Sequence, residues 1–173
     1  MSGLSVAEAA LRQVLPFLSA LIAVLVDRLP VAETDGGTLF PWLTIAVLFF
    51  WSIYAADLIP VWATFLIGLL NDALAGLPLG FTALALVLGR ELVIARHRYF
   101  HAKPFLVIWA SFAVLVSAIE FLRAVTAMLW FGHLIDPMPV VFAAGLTVAA
   151  YPFVAWLLSY LHSAIAAGSD AEP

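Results

Sequence analysis

The chain has 173 residues, of which 65% are hydrophobic and only 10% charged, with a formal net charge of −4 and a mean hydropathy of +1.12. A water-soluble domain carries roughly 25% charged residues, so this composition excludes an ordinary soluble domain. The lack of cysteine excludes disulfides, cysteine-ligated zinc and thiol nucleophiles. The sequence also has no phosphate-binding loop, no dinucleotide fingerprint and no basic face suited to nucleic acid.

Long apolar runs define the predicted elements. Runs of about 18 or more apolar residues with few charges are typical of transmembrane helices. We therefore predict an all-α integral membrane protein with about six transmembrane helices, folded as a single polytopic domain over residues 1–173. The first helix is expected to be an uncleaved one, because the N-terminus lacks the basic region of a signal peptide. The predicted spans are 11–29, 39–56, 58–71, 79–95, 104–122 and 139–161, with Ala124–Phe131 extending along the membrane face.

The third span is short. A helix from Asp57 to Asp72 rises about 22 Å, which is less than the ~30 Å thickness of the hydrocarbon core. It could thin the bilayer, sit between other helices or form a hairpin with the second span. Five to seven spans are therefore possible, with six favoured.

The basic residues predict the orientation. With six spans, both termini lie on the same side as the loop that follows span four. That side carries Arg12, Arg96, Arg98 and Lys103, against Arg28 and Arg123 on the other. By the positive-inside rule, both termini and this basic loop are expected to be cytoplasmic, and Asp72 to face outward.

The stretch from Gly68 to Gly80 places a polar pair, Asn71 and Asp72, between two apolar runs. Asp72 could carry a proton, bind a ligand or anchor a turn. Glycine supplies positive φ and proline presets φ near about −65°, so Gly76, Pro78 and Gly80 favour a tight turn, with Pro78 suited to begin the next helix. No second acid, base or nucleophile stands with Asp72 in a catalytic pattern, and a structural turn with a polar anchor is favoured.

Two pairs of ionisable residues lie within or at the end of predicted spans. Ionisable groups in a membrane have a high free-energy cost, so their presence there suggests a function. Glu120 and Arg123 stand three residues apart on one helix face. One interpretation is that they form a proton relay or a counter-ion pair for a substrate. The other is an ion pair at the membrane interface, which their position near the outer interface favours. Arg90 is expected to reach the cytoplasmic interface, and Glu91 to pair with a neighbouring helix.

The segment between spans four and five is basic. His97 and His101 have the i, i+4 spacing of a helical metal site, but Arg96, Arg98 and Lys103 surround them and would repel a cation. Contact with anionic membrane lipid is the favoured interpretation. We expect no metal, no cofactor and no catalytic residue. The Trp and Phe residues are mostly interpreted as interface belts and lipid-facing bulk.

At "LIGLLNDALAGLPLGFTALAL" the sequence resembles the MreD family of bacterial rod shape-determining membrane proteins. That family shows a span ending in Gly-Leu-Leu-x-Asp, a small-residue turn, and Pro-Leu-Gly opening the next span. "DRLP" after the first span is similar to an Asp-x-x-Pro of the family. The matching positions in the motif are Gly68, Leu69, Leu70, Asp72, Gly76, Pro78, Leu79 and Gly80.

The resemblance implies a non-enzymatic component of the rod (elongation) complex, which directs lateral peptidoglycan synthesis and cell shape. Its implied partners are MreC and, directly or indirectly, MreB, RodA and a class B penicillin-binding transpeptidase. The family offers no catalytic residues to carry over. Its helical fold is similar to that of the substrate-binding subunits of energy-coupling-factor vitamin importers, which supplies a rival hypothesis.

Two functions therefore compete. In a scaffold, the turn carrying Asp72 would lie at a partner interface, with Asp72 fixing its geometry or pairing with a basic partner residue. In a carrier of small solutes or lipid precursors, Asp72, Glu91, Glu120 and Arg123 would line a polar path. Ionisable residues near span ends favour the scaffold, since carriers keep some near the midplane beside broken helices. The short third span, with Pro60 near its start, favours the carrier.

Overall fold

A computed structural model describes residues 3–28, 33–34, 37–38, 41–75, 78–96, 103–132 and 137–169. The prediction of an all-α protein with about six helices is confirmed. Within the described ranges, Glu33–Thr34 (β1) and Gly37–Thr38 (β2) add a minimal antiparallel pair. The helices are α1 (Gly3–Val26), α2 (Leu43–Tyr54), α3 (Val61–Ala75), α4 (Phe81–Ala95), α5 (Phe105–Phe131) and α6 (Pro137–Ser169), with a 3-10 turn at Ala56–Leu58.

Helix α2 is the centre of the bundle. Its ten consecutive residues from Thr44 to Ile53 are all buried, and it packs against α1, α4, α5 and α6. A helix that is apolar on every side is buried either in protein or in lipid, and here the surroundings are protein. The interpretation of Trp and Phe as interface belts and lipid-facing bulk is therefore wrong for those that are buried in the described chain, which are Trp42, Phe49, Phe50, Trp51 and Phe112.

Two helices have the length and apolar composition needed to cross a membrane. Among the residues that can be described, these segments are Phe105–Thr126 in α5 and Pro137–Ser163 in α6. Shorter apolar helices cover Val14–Val26, Leu43–Tyr54 and Val61–Ala75. Helices of 12 to 15 residues, such as α2, α3 and α4, rise only about 18 to 22 Å. Both long helices, α5 and α6, pack against the short central helix α2.

Helix α4 begins later than the sequence predicts. Its first residue is Phe81 and its N-cap is Gly80, so Pro78 does not open the helix as expected. Pro78 lies one turn earlier, where its carbonyl accepts a hydrogen bond from the Phe81 N–H at 3.3 Å. The chain therefore makes a separate turn before α4, and this turn brings α4 back against α3.

Candidate functional site at the capped ends of the helices

The polar residues of the bundle concentrate where α1 and α3 end and α2 and α4 begin, which we call the capped end. Asp72, in the last turn of α3, is fully buried. Its Oδ2 accepts the Gly80 N–H at 2.9 Å, and its Oδ1 accepts the Thr82 N–H at 3.0 Å. The Ala83 N–H lies 3.4 Å from Oδ2. The first N–H groups of a helix have no acceptors within the helix. For α4, the Asp72 carboxylate on the preceding helix is the acceptor.

Gly80 makes this cap possible. Its φ is +98°, a left-handed conformation that glycine adopts without steric cost. Because Gly80 has no side chain to cap α4, the Asp72 carboxylate takes the place of an N-cap side chain. A negative charge at this point also complements the positive end of the helix dipole. The contacts are those of a helix cap and leave the Asp72 carboxylate buried inside the hairpin.

Gly68 permits the close crossing of α3 and α4. A Cβ atom added at Gly68 would lie 2.3 Å from the Ala83 Cα and 2.8 Å from the Ala83 nitrogen. Both are backbone atoms, so no side-chain rotation could relieve the overlap. Small residues at such crossings let helix backbones approach closely, and here the crossing sits one turn from Asp72 along α3.

Asp27 repeats the arrangement in the first hairpin. Immediately after α1, its Oδ1 accepts the Leu43 N–H at 2.7 Å, while Oδ2 accepts the Thr44 N–H at 3.0 Å and the Thr44 hydroxyl at 2.6 Å. Leu43 and Thr44 are the first two residues of α2. In both hairpins, therefore, an aspartate at the end of one helix caps the start of the next.

Arg28 joins the two hairpins. Its Nη2 donates to the Asn71 backbone carbonyl at 3.0 Å and also to the Asn71 Oδ1. Asn71 is fully buried next to Asp72, so the end of α1 is tied to the end of α3. The sequence marked Asp27 as part of an Asp-x-x-Pro similar to that of the family and Arg28 as a charge at the outer side, but it did not predict these contacts.

Glu120 and Arg123 form the i, i+3 ion pair that their spacing allows, with Nη1 and Oε1 2.9 Å apart. The Arg123 guanidinium also lies over the Trp42 ring, 4.6 Å from its centroid, which is a cation–π contact. The backbone N–H of Trp42 in turn donates to the Thr147 hydroxyl of α6 at 2.8 Å. The pair thus connects α5 to the start of α2, and Glu120 is only 9% exposed.

Arg90 lies at the end of the bundle opposite the capped end. Its Nη2 donates to the backbone carbonyls of Ile59 at 2.7 Å and Ala56 at 3.1 Å. Cationic groups are favourable at carbonyls that follow a helix C-terminus. The Arg90 guanidinium therefore stabilises the turn between α2 and α3. Glu91 pairs with Arg90 itself, and the expected pairing with a neighbouring helix is wrong because the guanidinium folds back within reach.

Part of the predicted basic loop can be placed. Arg96 is the exposed C-cap of α4, and Lys103 is exposed just before α5. Arg98, His97 and His101 lie outside the described residues, as does Gly76 of the predicted turn.

The residues expected to line a carrier path divide between the two ends of the bundle. Asp72 caps the start of α4, and Glu120 and Arg123 are paired at the same end. Glu91 lies about 15 Å further along α4 and is half exposed. Between the two ends, the void beside Ser52 and Gly89 has a volume of about 10 Å³, room for at most a single water. The described residues therefore give the carrier hypothesis no support.

Loss of the Asp27 cap is expected to destabilise the first hairpin. Asp27→Ala leaves two backbone N–H groups and the Thr44 hydroxyl without their acceptor, at a cost of about 2–3 kcal/mol. Thr44→Val, which removes only the hydroxyl, should cost about 1 kcal/mol. Thermal unfolding of the purified variants in detergent measures both. Equal melting temperatures for Asp27→Ala and the wild type would contradict the cap.

Comparison with known proteins identifies one family. Residues 8–164 match the family model described as rod shape-determining protein MreD. No curated protein and no solved structure matches the chain, so the expected similarity to the importer subunits is not supported.

Proposed function

Because the chain belongs to the MreD family of rod shape-determining membrane proteins, we propose that it is a non-enzymatic membrane component of the rod complex. In this role it binds MreC and helps direct lateral peptidoglycan synthesis. RodA, a class B penicillin-binding transpeptidase and MreB are its further partners, directly or through MreC. The protein resides in the bacterial inner membrane with both termini in the cytoplasm and the capped end outside.

The contacts of the buried acidic side chains are the observation that supports a non-enzymatic role. Where side chains are described, the buried acids are Asp27, Asp72 and Glu120. The two aspartates accept backbone N–H groups of helix starts, and Glu120 pairs with Arg123. Catalysis by acid, base or nucleophile needs such a group aimed at a reacting atom. These carboxylates are aimed at the protein's own backbone and at its own arginine.

The turn before α4 is the proposed contact surface for MreC. Leu79 is 70% exposed and stands beside Gly80, whose N–H is held by Asp72. An exposed leucine on a fixed turn offers apolar area that a partner helix can cover without ordering cost. In this proposal Leu79 touches the partner, and Asp72 and Gly68 act by positioning it.

A pull-down in mild detergent from native membranes, with mass spectrometry of the recovered proteins, tests the proposal. The tagged wild type should recover MreC in stoichiometric amount. Leu79→Gln should lower MreC recovery at least fivefold, while Leu106→Gln should leave it unchanged. Leu106 is a matched control because it is equally exposed, at 66%, but lies at the opposite end of the bundle. Recovery of importer ATPase subunits instead of MreC would overturn the proposal in favour of a carrier.

A further inference from the structure

A lateral groove separates the second half of α4 from α5. Its volume is about 1050 Å³, and its floor is formed by the end of α2. Phe49 and Val93, both nearly fully buried, lie at its base. Leu92 and Val114, 50% and 71% exposed, lie along its sides. We call this feature the α4–α5 groove.

The groove is closed near the middle of the bundle. At Gly89 the two helices meet, since a Cβ atom there would lie 3.5 Å from the side chains of both Leu115 and Ile119. From Gly89 to Arg96 the helix rises about 10 Å, which is less than half of the ~30 Å hydrocarbon core. A partner's spanning helix would need a groove along the full thickness. One leaflet has a hydrocarbon depth of about 15 Å, so the groove can hold most of the length of an acyl chain of one leaflet.

The deep part of the groove is apolar in its chemistry. Ser111 contributes a hydroxyl, but that hydroxyl already donates to the Val107 carbonyl at 2.8 Å. Tyr54 also lines the groove but is 44% exposed, and the buried lining consists of aliphatic residues and Phe49. Hydrocarbon is therefore the matching occupant, since a polar solute would lose its hydrogen bonds to water there.

Among the residues that the structure describes, the mouth of the groove carries one charge of each sign. Asp57 and Arg96 both line it and both are exposed. In the part of the chain that the structure describes, neither forms an ion pair with the other or with another side chain. A carboxylate and a guanidinium at the mouth of one groove complement a headgroup that holds an ammonium and a phosphate.

We propose that the α4–α5 groove binds an aminophospholipid of the phosphatidylethanolamine class. One acyl chain fills the apolar groove, the phosphate binds Arg96, and the ammonium group binds Asp57. An anionic lipid such as phosphatidylglycerol would satisfy Arg96 but would leave Asp57 without a cation. The site therefore selects the zwitterionic headgroup through Asp57 and holds the chain through the apolar walls.

Native mass spectrometry of the delipidated full-length protein, after addition of phosphatidylethanolamine or phosphatidylglycerol, tests the site. The wild type should retain one phosphatidylethanolamine and prefer it at least fivefold over phosphatidylglycerol. Ala118→Phe, which fills the groove, should lower retention at least fivefold. Ser117→Phe is the matched control, because Ser117 is an exposed neighbour on α5 that does not line the groove, and it should retain the lipid.

The charge variants test headgroup selection without filling the groove. Asp57→Asn should abolish the preference for phosphatidylethanolamine, and Arg96→Gln should weaken binding of both lipids. Equal retention of the two lipids by the wild type would overturn the proposal, as would unchanged retention in Ala118→Phe. Crosslinking of a partner's transmembrane helix to Ala118→Cys in native membranes would show instead that the groove holds protein.

Discussion

Replacing Gly68 by alanine is expected to prevent accumulation of the folded protein. The new Cβ would lie 2.3 Å from the Ala83 Cα, closer than two carbon atoms without a bond approach one another. The obstructing atoms belong to the backbone, so α3 and α4 would have to separate along their whole contact. Overpacking of this kind costs about 3 kcal/mol or more, and separation would also pull Asp72 away from the start of α4. Membrane abundance and detergent-extracted monodisperse protein measure the effect.

Gly80→Ala is the matched control for this prediction. Gly80 has a φ of +98° but no atom within 4 Å of an added Cβ. Alanine there meets only the backbone strain of the left-handed region, roughly 1–2 kcal/mol, and should lower stability without abolishing the fold. Normal accumulation of Gly68→Ala, or a greater loss in Gly80→Ala, would contradict the close helix crossing.

Asp72→Ala is expected to produce the second large effect. The substitution leaves the N–H groups of Gly80 and Thr82 in a buried site without an acceptor. Each buried donor left unpaired costs about 1–3 kcal/mol, so a total loss of about 2–4 kcal/mol is expected. Asp72→Asn, which keeps one carbonyl acceptor, should lose less. Thermal unfolding in detergent gives the order of the variants.

The neighbouring Thr82 supplies the control. Thr82 is fully buried, and its hydroxyl has no hydrogen-bond partner among the described residues. Thr82→Val removes an unsatisfied polar group at nearly constant shape, so it should be neutral or stabilising. A loss in Thr82→Val as large as that in Asp72→Ala would mean that any change at the start of α4 is harmful, and would contradict a specific cap.

Sequence reasoning could single out Asp72 but not its partners. An aspartate between two apolar runs is conspicuous in a chain with so few charges, and the glycines and Pro78 after it indicate a turn. That the carboxylate reaches back to the Gly80 and Thr82 N–H groups depends on how α3 and α4 cross. The crossing depends in turn on Gly68. The sequence marks Gly68 as part of the Gly-Leu-Leu-x-Asp motif, but it does not show that this glycine lies against the backbone of Ala83.

The burial of α2 could not be predicted for a different reason. Apolar residues on every side of a helix fit both a lipid-facing and a protein-enclosed position, and the membrane removes the polar face that would mark the surface of a soluble protein. Only packing places Phe50 and Trp51 at the centre. The link from Arg28 to Asn71 spans 43 residues and carries no local sequence signal. The number of helices could be predicted from the sequence because it follows from hydropathy and turns alone.

The capped end explains how a protein with few charges can place them in its interior. Each buried acid of the described chain meets N–H groups or a guanidinium that would otherwise be unsatisfied. Unpaired polar groups are costly in a medium without water, so these contacts fix the relative positions of four helix ends. A fixed end is a suitable surface for a partner, and this connects the fold to the proposed scaffold role.

If Asp72 acts only by holding the start of α4, its role is tested most directly by expressing Asp72→Asn in a strain that lacks the chromosomal copy and measuring rod-shape complementation per folded molecule. This role predicts that the variant is less abundant in the membrane but restores rod shape as well as the wild type at equal folded levels. Abundance is measured by quantitative fluorescence of a tagged protein, and shape by cell width and length. Round cells at wild-type levels of folded Asp72→Asn would contradict it, because Asp72 would then perform chemistry or contact a partner beyond holding α4.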